Sequence, residues 1–178
     1  MRARFFRWLL KHLEHHTPPF VRRLALQILM NATARAFRMH GKRLWTLPWR
    51  DGLRLYAEYT RARPNVDPEA LYSVSYTLGQ RLRHITGLTD PRDLRRLVFW
   101  LYSGIGISMG GKLPGEVSVS GCFFSDYYTP AQCAMMSNMD SGIVGGIMGG
   151  GKLIFTQRIT EGAPCCKARL TSEANGYE

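Results

Sequence analysis

The fold is decided by residues 129–171, which read TPAQCAMMSNMDSGIVGGIMGGGKLIFTQRITEGAPCCKARLT. The opening Thr129-Pro130-Ala131-Gln132 is a capping box with a proline in the first turn, and it predicts a helix that runs to about Gly146. Lys152 to Thr160 alternates as a strand, and after a turn Cys166 to Thr171 returns as the second arm of a hairpin. A helix followed by a β-hairpin is therefore the centre of the predicted fold.

The glycines of this stretch invite comparison with a nucleotide-binding loop. Gly146 to Leu153 matches the glycine and lysine positions of a phosphate-binding loop, but Leu153 stands where Ser or Thr should hold magnesium. That motif joins a strand to a following helix, whereas here a helix precedes and a strand follows. The glycines are expected instead to end the helix and let the chain reverse.

Earlier in the chain, glycine-rich segments separate two more short β-like runs. Gly104 to Met109 and Glu116 to Phe124 predict two further strands. By strict alternation, Cys122 lies on the same side of the second strand as Ser118 and Ser120. It comes near the end of the strand, where functional sites often gather.

The first hundred residues carry helical signals. Apolar residues recur at helical spacing, and prolines and aspartates mark several starts. The predicted helices cover residues 2–16, 20–39, 51–61, 67–86 and a last segment that begins near residue 91. The sequence therefore predicts an α+β fold, in which a helical N-terminal part is followed by a small antiparallel sheet with one helix packed on it.

The net charge of +11 lies in one part of the chain. Residues 1–63 hold 14 Lys and Arg against three acids, whereas residues 64–178 hold ten of each. Arg63-Pro64-Asn65 is a plausible linker at this change of charge. We expect a basic helical segment over 1–63, an α+β cysteine-containing domain over 64–172 and a tail over 173–178.

The basic segment predicts an anionic contact. Residues 2–16 form an amphipathic helix whose arginines and Trp8 suit a membrane surface, although a solvated basic face is the alternative. An anionic membrane surface or an acidic partner is expected through residues 1–63, and nucleic acid is disfavoured. The longest apolar stretch, residues 97–111, is interrupted and falls short of the roughly 20 residues of a membrane span. Four cysteines are too few for a disulfide scaffold, so we expect a cytoplasmic protein that can attach peripherally to a membrane.

Candidate chemistry lies in cysteines and carboxylates of the C-terminal part. The only cysteines of the chain fall within 45 residues together with two acids: Cys122, Cys133, Asp140, Glu161, Cys165 and Cys166. Cys133 and Asp140 share one helical stripe. Thiolates serve as nucleophiles or metal ligands, and the four cysteines could hold zinc beside a carboxylate. Buried, inert thiols are the alternative.

The spacing of Phe155, Arg158, Gly162 and Cys166 resembles the C-terminal half of the L-2-amino-thiazoline-4-carboxylic acid hydrolase-like family. The resemblance covers about residues 100–170. More distantly, the chain is similar to the small-molecule-binding 4-vinyl reductase domains, which share a glycine turn followed by cysteine. Family members commonly continue from the last cysteine into Asp-Phe, whereas here Lys167-Ala168 follows.

The resemblance implies hydrolytic opening of a small sulfur- and nitrogen-containing ring at its C=N bond. Cys133, Asp140 and Cys166 are then the catalytic residues, with a cysteine thiolate as nucleophile or with a cysteine-bound metal that activates water. Arg158 and Glu161 would bind substrate, and Arg158 could instead neutralise Asp140, which we favour. The alternatives are a noncatalytic small-molecule sensor and a membrane-surface accessory protein.

Overall fold

The structure is a computed structural model that describes residues 2–13, 18–34, 36–39 and 44–171. Helices come first along the chain, and one helix lies between the two pairs of strands. The elements of the described residues are α1 (Arg2–Leu13), α2 (Pro19–Thr33), α3 (Trp49–Arg61), α4 (Pro68–Thr86), α5 (Pro91–Gly104), β1 (Ile107–Gly111), β2 (Glu116–Cys122), α6 (Pro130–Met148), β3 (Lys152–Gln157) and β4 (Cys166–Thr171). The predicted α+β class is confirmed. The predicted tail, residues 173–178, lies outside the described residues.

Local signals set most helix boundaries. The side chain of Asp67 accepts a hydrogen bond from the Glu69 amide at the start of α4, and Asp90 caps α5 in the same way. The predicted capping box of Thr129 and Gln132 is present at the start of α6. This helix ends at Met148 and is followed by Gly149, whose φ of 94° suits glycine, so the glycine run ends the helix as expected.

Helix α2 is shorter than predicted. It ends at Thr33 instead of continuing to Met39, and the Thr33 hydroxyl donates to the Leu29 carbonyl in its last turn. A few residues later Arg38 has a φ of 52°, which a continuing helix does not allow.

The four strands form one antiparallel sheet in the order β1-β2-β4-β3. On β4 the side chains of Cys166, Ala168 and Leu170 are buried, while the residues between them are exposed. One face of the sheet therefore packs on the helices and the other faces solvent. The predicted hairpin is present as β3 and β4, although β3 ends at Gln157 because the chain enters the 3-10 turn Ile159–Glu161 two residues later.

A bulge in β2 corrects the predicted orientation of Cys122. The register shifts between Ser108 and Met109 of β1, so that Val119 and Gly121 have partners on β1 while Ser120 is the extra residue. Beyond the bulge Cys122 pairs with the buried Ile107. Cross-strand partners share a face. Cys122 therefore lies on the core side of the sheet instead of the side of Ser118 and Ser120.

One hydrophobic core joins the basic segment to the rest of the chain. Leu53 and Tyr56 of α3 are fully buried, and they belong to the same cluster as Leu71 of α4 and Leu94 of α5. The two segments predicted from charge thus contribute to a common interior. Among the described residues, no helix combines the length and the apolar character that a membrane crossing needs.

Helices α4 and α6 pack with their backbones in contact along a set of glycines that we call the glycine seam: Gly79, Gly142 and Gly146. A Cβ added to Gly146 would lie 2.3 Å from the Tyr76 carbonyl oxygen, and one on Gly142 would lie 2.5 Å from that of Tyr72. Gly79 approaches the Ile143 carbonyl in the same way, at 2.5 Å. No side chain larger than hydrogen fits at these three positions without moving a helix.

Candidate functional site

The N-terminal half of α6 presents the polar residues that the sequence singled out. Cys133 and Asp140 lie about two turns apart on one stripe of the helix, and both are half-buried. Ser137 lies between them, and its hydroxyl donates to the Cys133 carbonyl at 2.8 Å. The proton of this hydroxyl is therefore used by the helix backbone and is not donated to Asp140.

Asp140 receives a hydrogen bond from a tyrosine that the sequence analysis did not single out. The hydroxyl of Tyr102, in the last turn of α5, donates to Asp140 Oδ1 at 2.9 Å. Part of the residue's surface remains accessible, but protein atoms crowd the carboxyl, and the loss of hydration raises the pKa of Asp140 to about 6. The Tyr102 hydrogen bond opposes this rise. A carboxyl with this pKa can both accept and return a proton near neutral pH.

Three thiols share the surroundings of Asp140. Burial is the main cause that raises the pKa of Cys122, to about 12, and it also raises the pKa values of Cys133 and Cys166. The charge of Asp140 raises all three further, and the charge of Cys166 acts on Cys133 as well. These thiols are therefore neutral at physiological pH. We call the group of Tyr102, Cys122, Cys133, Asp140 and Cys166 the Asp140 cluster.

A second tyrosine links the Asp140 cluster to the basic segment. Tyr128, in the loop before α6, has its hydroxyl 2.7 Å from that of Thr60 on α3. Burial raises the pKa of Tyr128, and the charges of Cys122 and Asp140 raise it further. Tyrosines in helices and loops usually pack as core residues, so nothing in the sequence marked Tyr102 or Tyr128 as a neighbour of Asp140.

Arg158 does not pair with Asp140 as we favoured from the sequence. Its Nη1 lies 3.3 Å from Glu161 Oε1, and the guanidinium is 5.3 Å from the centre of the Phe155 ring. Glu161 follows Arg158 by three residues, and the 3-10 turn Ile159–Glu161 brings two side chains at this spacing to the same side, where they form the ion pair. The charge of Arg158 still lowers the pKa values of Cys133 and Cys166, which places the guanidinium near the Asp140 cluster.

A cavity of about 200 Å³ lies between α4, α6 and β3, and its link to the Asp140 cluster is Arg158, because the five residues of the cluster do not line it. Its polar lining residues come from α4, α6 and β3 and from the position directly after β3, and are Glu69, Ser137, Asn138, Ser141, Lys152 and Arg158. Arg158 therefore borders both the cavity and the two thiols whose pKa it affects. The volume suits a molecule of one small ring more than a nucleotide or a peptide.

Thr160 lies against Cys133 from the hairpin side. Its hydroxyl is buried and lacks a hydrogen bond of ordinary geometry within the described residues, but it is near enough to the Cys133 thiol to lower its pKa. Arg158 Nε is buried and unsatisfied in the same part of the chain. Unsatisfied polar atoms of this kind are rare in folded proteins, and a bound water or ligand can supply the missing partner.

Besides Arg158, two of the predicted site residues lie outside the Asp140 cluster. Cys165 accepts a hydrogen bond from Gln157 Nε2 through its sulfur, at 3.4 Å, and precedes the buried Cys166 by one residue. Glu161 is exposed and contacts the cluster only through Arg158. The structure thus brings Cys122, Cys133, Asp140 and Cys166 together and leaves Cys165 and Glu161 at the edge.

The prediction that Cys122, Cys133, Cys165 and Cys166 ligate zinc has no support in the described part of the chain. No group of three or more His, Cys, Asp or Glu side chains there is arranged to hold a metal ion.

No family model, curated protein or solved structure matches the chain. The basis for a function is therefore the Asp140 cluster, together with the residue spacing between Phe155 and Cys166.

Proposed function

We propose that the Asp140 cluster binds a small sulfur- and nitrogen-containing heterocycle and hydrolyses its C=N bond, with Asp140 as general base and general acid. The observation that carries this proposal is the state of Asp140. It is a partly accessible residue whose crowded carboxyl has a pKa of about 6, and the Tyr102 hydroxyl fixes one of its oxygens. Perturbed carboxyls in such surroundings are typical of catalytic sites.

The ionised form of Asp140 suits a basic ring that carries an amidine-like C=N group, because the protonated ring is cationic. In the proposed reaction, water attacks the carbon of this bond and Asp140 takes one of its protons, while the electron pair of the C=N bond moves to nitrogen. The bond from this carbon to a ring heteroatom then breaks, and Asp140 returns its proton to the departing atom. The new hydroxyl releases its proton to solvent as the carbonyl forms.

The neutral thiols favour this route over a thiolate nucleophile. Burial and the charge of Asp140 raise the pKa values of Cys133 and Cys166, so little thiolate is present at neutral pH. We assign these thiols to the wall of the site, where neutral sulfur provides a polarizable surface for a ring that itself contains sulfur.

Arg158 supports recognition of a carboxylate on the substrate. Its Nε is buried without a partner in the described residues, and its ion pair with Glu161 is at the edge of the cavity. A substrate carboxylate can exchange with Glu161 at low cost, since that side chain is 43% exposed and surface ion pairs contribute little.

A noncatalytic ligand-binding role is the second candidate. It is favoured by the same neutral thiols, because protonated sulfurs near a bound effector do not react with it. In this case the ligand would stabilise the chain in proportion to its concentration, but no product would form.

The experiment that tests both candidates is turnover of 2-amino-thiazoline-4-carboxylate, followed by mass spectrometry of the product. We expect turnover by the wild type, loss of at least about a hundredfold in Asp140→Asn, and little change in Asp126→Asn, a matched change at an exposed acid. Full turnover by Asp140→Asn would refute the proposal. Loss of turnover in Cys166→Ser but not in Asp140→Asn would assign the reaction to the thiol. Stabilisation without product would favour the second candidate.

A further inference from the structure

Helix α1 is held to the protein by one face only. Leu10 is 4% exposed, and Ala3 and Phe6 pack against the same core. Arg7 Nε lies 2.6 Å from Asp93 Oδ2 on α5, where Asp93 is buried and also contacts Arg96. The core contacts and the ion pair together fix the rotation of α1 about its own axis, so the identity of its outer face is defined.

That outer face is aromatic, although it points away from the core. Phe5 is 56% exposed and Trp8 is 54% exposed, and the two rings are stacked with centroids 6.4 Å apart. The His12 ring follows at 4.3 Å from Trp8. We call these three residues the α1 aromatic face. Large rings gathered on solvent-facing helix positions indicate an interaction surface.

Cations border the α1 aromatic face on both sides. At 100° per residue, Arg4 and Lys11 lie on one flank and Arg2 on the other, and all three are exposed. The helix contains no acidic residue between Arg2 and Leu13. Exposed rings between cations are the arrangement of helices that lie in a membrane interface, where the rings enter the headgroup region and the cations contact anionic lipid.

We infer that α1 docks the folded protein onto an anionic lipid surface through Phe5 and Trp8, with Arg2, Arg4 and Lys11 as the charged contacts. A lipid surface fits better than single-stranded nucleic acid. Nucleic acids are bound in charged grooves that track the phosphate backbone, whereas the exposed side of a single helix is convex. The inference does not depend on the proposed hydrolysis, since α1 contributes no residue to the Asp140 cluster.

The test uses the full chain and vesicles of phosphatidylcholine with and without about 30% phosphatidylserine. Cosedimentation measures binding at about 0.05 M and 0.5 M salt. We expect the wild type to bind the anionic vesicles at least about tenfold more strongly than the neutral ones, and to lose most of this preference at high salt.

Two variants and two controls identify the surface. Phe5→Ser with Trp8→Ser should weaken binding at least about tenfold, because two half-exposed rings are removed from the interface. Arg4→Glu with Lys11→Glu should have an effect of at least that size. The controls are Ile154→Ser, an exposed apolar residue elsewhere, and Lys167→Glu with Arg169→Glu on the solvent face of β4, all of which should bind as the wild type does.

Several results would overturn the inference. Equal binding of the wild type and the Phe5/Trp8 variant would do so, as would equal binding to neutral and anionic vesicles. Tight binding to a single-stranded polyuridine probe without vesicle binding would also overturn it, and would identify the α1 aromatic face as a nucleic-acid-binding surface. Circular dichroism of each variant checks that the fold is retained, which we expect because the changed side chains are exposed.

Discussion

The two halves of α6 differ in burial and in the chemistry of their side chains, although they belong to one continuous helix. The C-terminal half, from Ser141 to Ile147, is buried at every position and packs against α4 through Gly142 and Gly146. The N-terminal half carries Cys133 and Asp140, which remain partly accessible.

The buried half of α6 therefore positions the helix, and the partly accessible half carries the candidate reactive groups. The seam half holds the helix in place through backbone contacts, which leave no room for side-chain rearrangement. The other half can therefore keep a carboxyl in surroundings that disfavour its charge. Natural proteins tolerate a local cost of this kind at functional sites. If the interpretation is correct, changes in the two halves should have opposite effects on stability.

The largest effect is expected from Gly146→Val in the glycine seam. A Cβ at this position would lie 2.3 Å from the Tyr76 carbonyl oxygen, so α4 and α6 would have to separate. We expect the free energy of unfolding to fall by more than about 3 kcal/mol, or the chain not to fold. Urea unfolding followed by circular dichroism measures this loss. Gly110→Ala is the control, because a Cβ there has an ordinary contact at 3.6 Å. A stable Gly146→Val protein would refute the description of the seam.

The next effect has the opposite sign. Asp140→Asn should raise the free energy of unfolding at pH 8 by about 1 to 3 kcal/mol, because it removes a carboxylate whose pKa is raised from 3.8 to about 6 in the folded chain. The folded state binds the proton more strongly than the unfolded state, so the stability of the wild type decreases as pH rises from about 4 to about 6. The variant should lack this decrease. Urea titrations at pH 4 and pH 8 measure it, and equal pH dependence in both proteins would contradict the pKa assigned to Asp140.

Tyr102→Phe should have an effect of comparable size and opposite sign on stability, and it should also move a different observable. It removes the hydrogen bond to Asp140 Oδ1, which lowers the pKa of Asp140 in the wild type. The pKa of Asp140 should therefore rise above 6, and the acid limb of any activity or stability profile should move to higher pH. We expect a loss of about 2 kcal/mol in stability at neutral pH. A pH profile that stays in place would show that Tyr102 does not act on the carboxyl.

The smallest effect should distinguish the two adjacent cysteines. Cys166 is 6% exposed and pairs with Val119 in the sheet, and its sulfur accepts a hydrogen bond from the Ile159 amide at 3.4 Å. Cys166→Ser replaces the buried sulfur by a smaller, more polar hydroxyl and should cost about 1 kcal/mol. Cys165→Ser, at the half-buried edge position, should change stability by less than about 0.5 kcal/mol. Thermal unfolding of both variants measures the difference. Equal effects would place both thiols in the same surroundings, against the alternation observed on β4.

The sequence was sufficient for the order of elements in the C-terminal part. The capping box at Thr129 and the alternation after Lys152 are local signals, and they predicted α6 and the β3–β4 hairpin. Cys133 and Asp140 were expected on one stripe because helical periodicity alone places them there. Predictions of this kind need no knowledge of distant partners.

Contacts between segments far apart in the chain could not be predicted from the sequence. Tyr102 is separated from Asp140 by 38 residues, and no local pattern links them. The bulge at Ser120 is set by pairing with β1, and it changed the side on which Cys122 lies. The Arg158–Glu161 pair was missed for another reason, because Arg158 was predicted inside a strand that ends one residue earlier.

Helix α5 connects the two surfaces on which the proposals rest. Near the start of α5, Asp93 forms the ion pair that anchors α1, and near the end of α5, Tyr102 donates a hydrogen bond to Asp140. Their separation along the sequence corresponds to about 14 Å along the helix axis and places the two side chains on opposite sides of the helix. A copy of the protein docked on lipid through α1 would thus hold the Asp140 carboxyl at a fixed height and orientation above the lipid. Its substrates would then be drawn from the layer of solution next to the membrane, where cations are concentrated by the same anionic lipid.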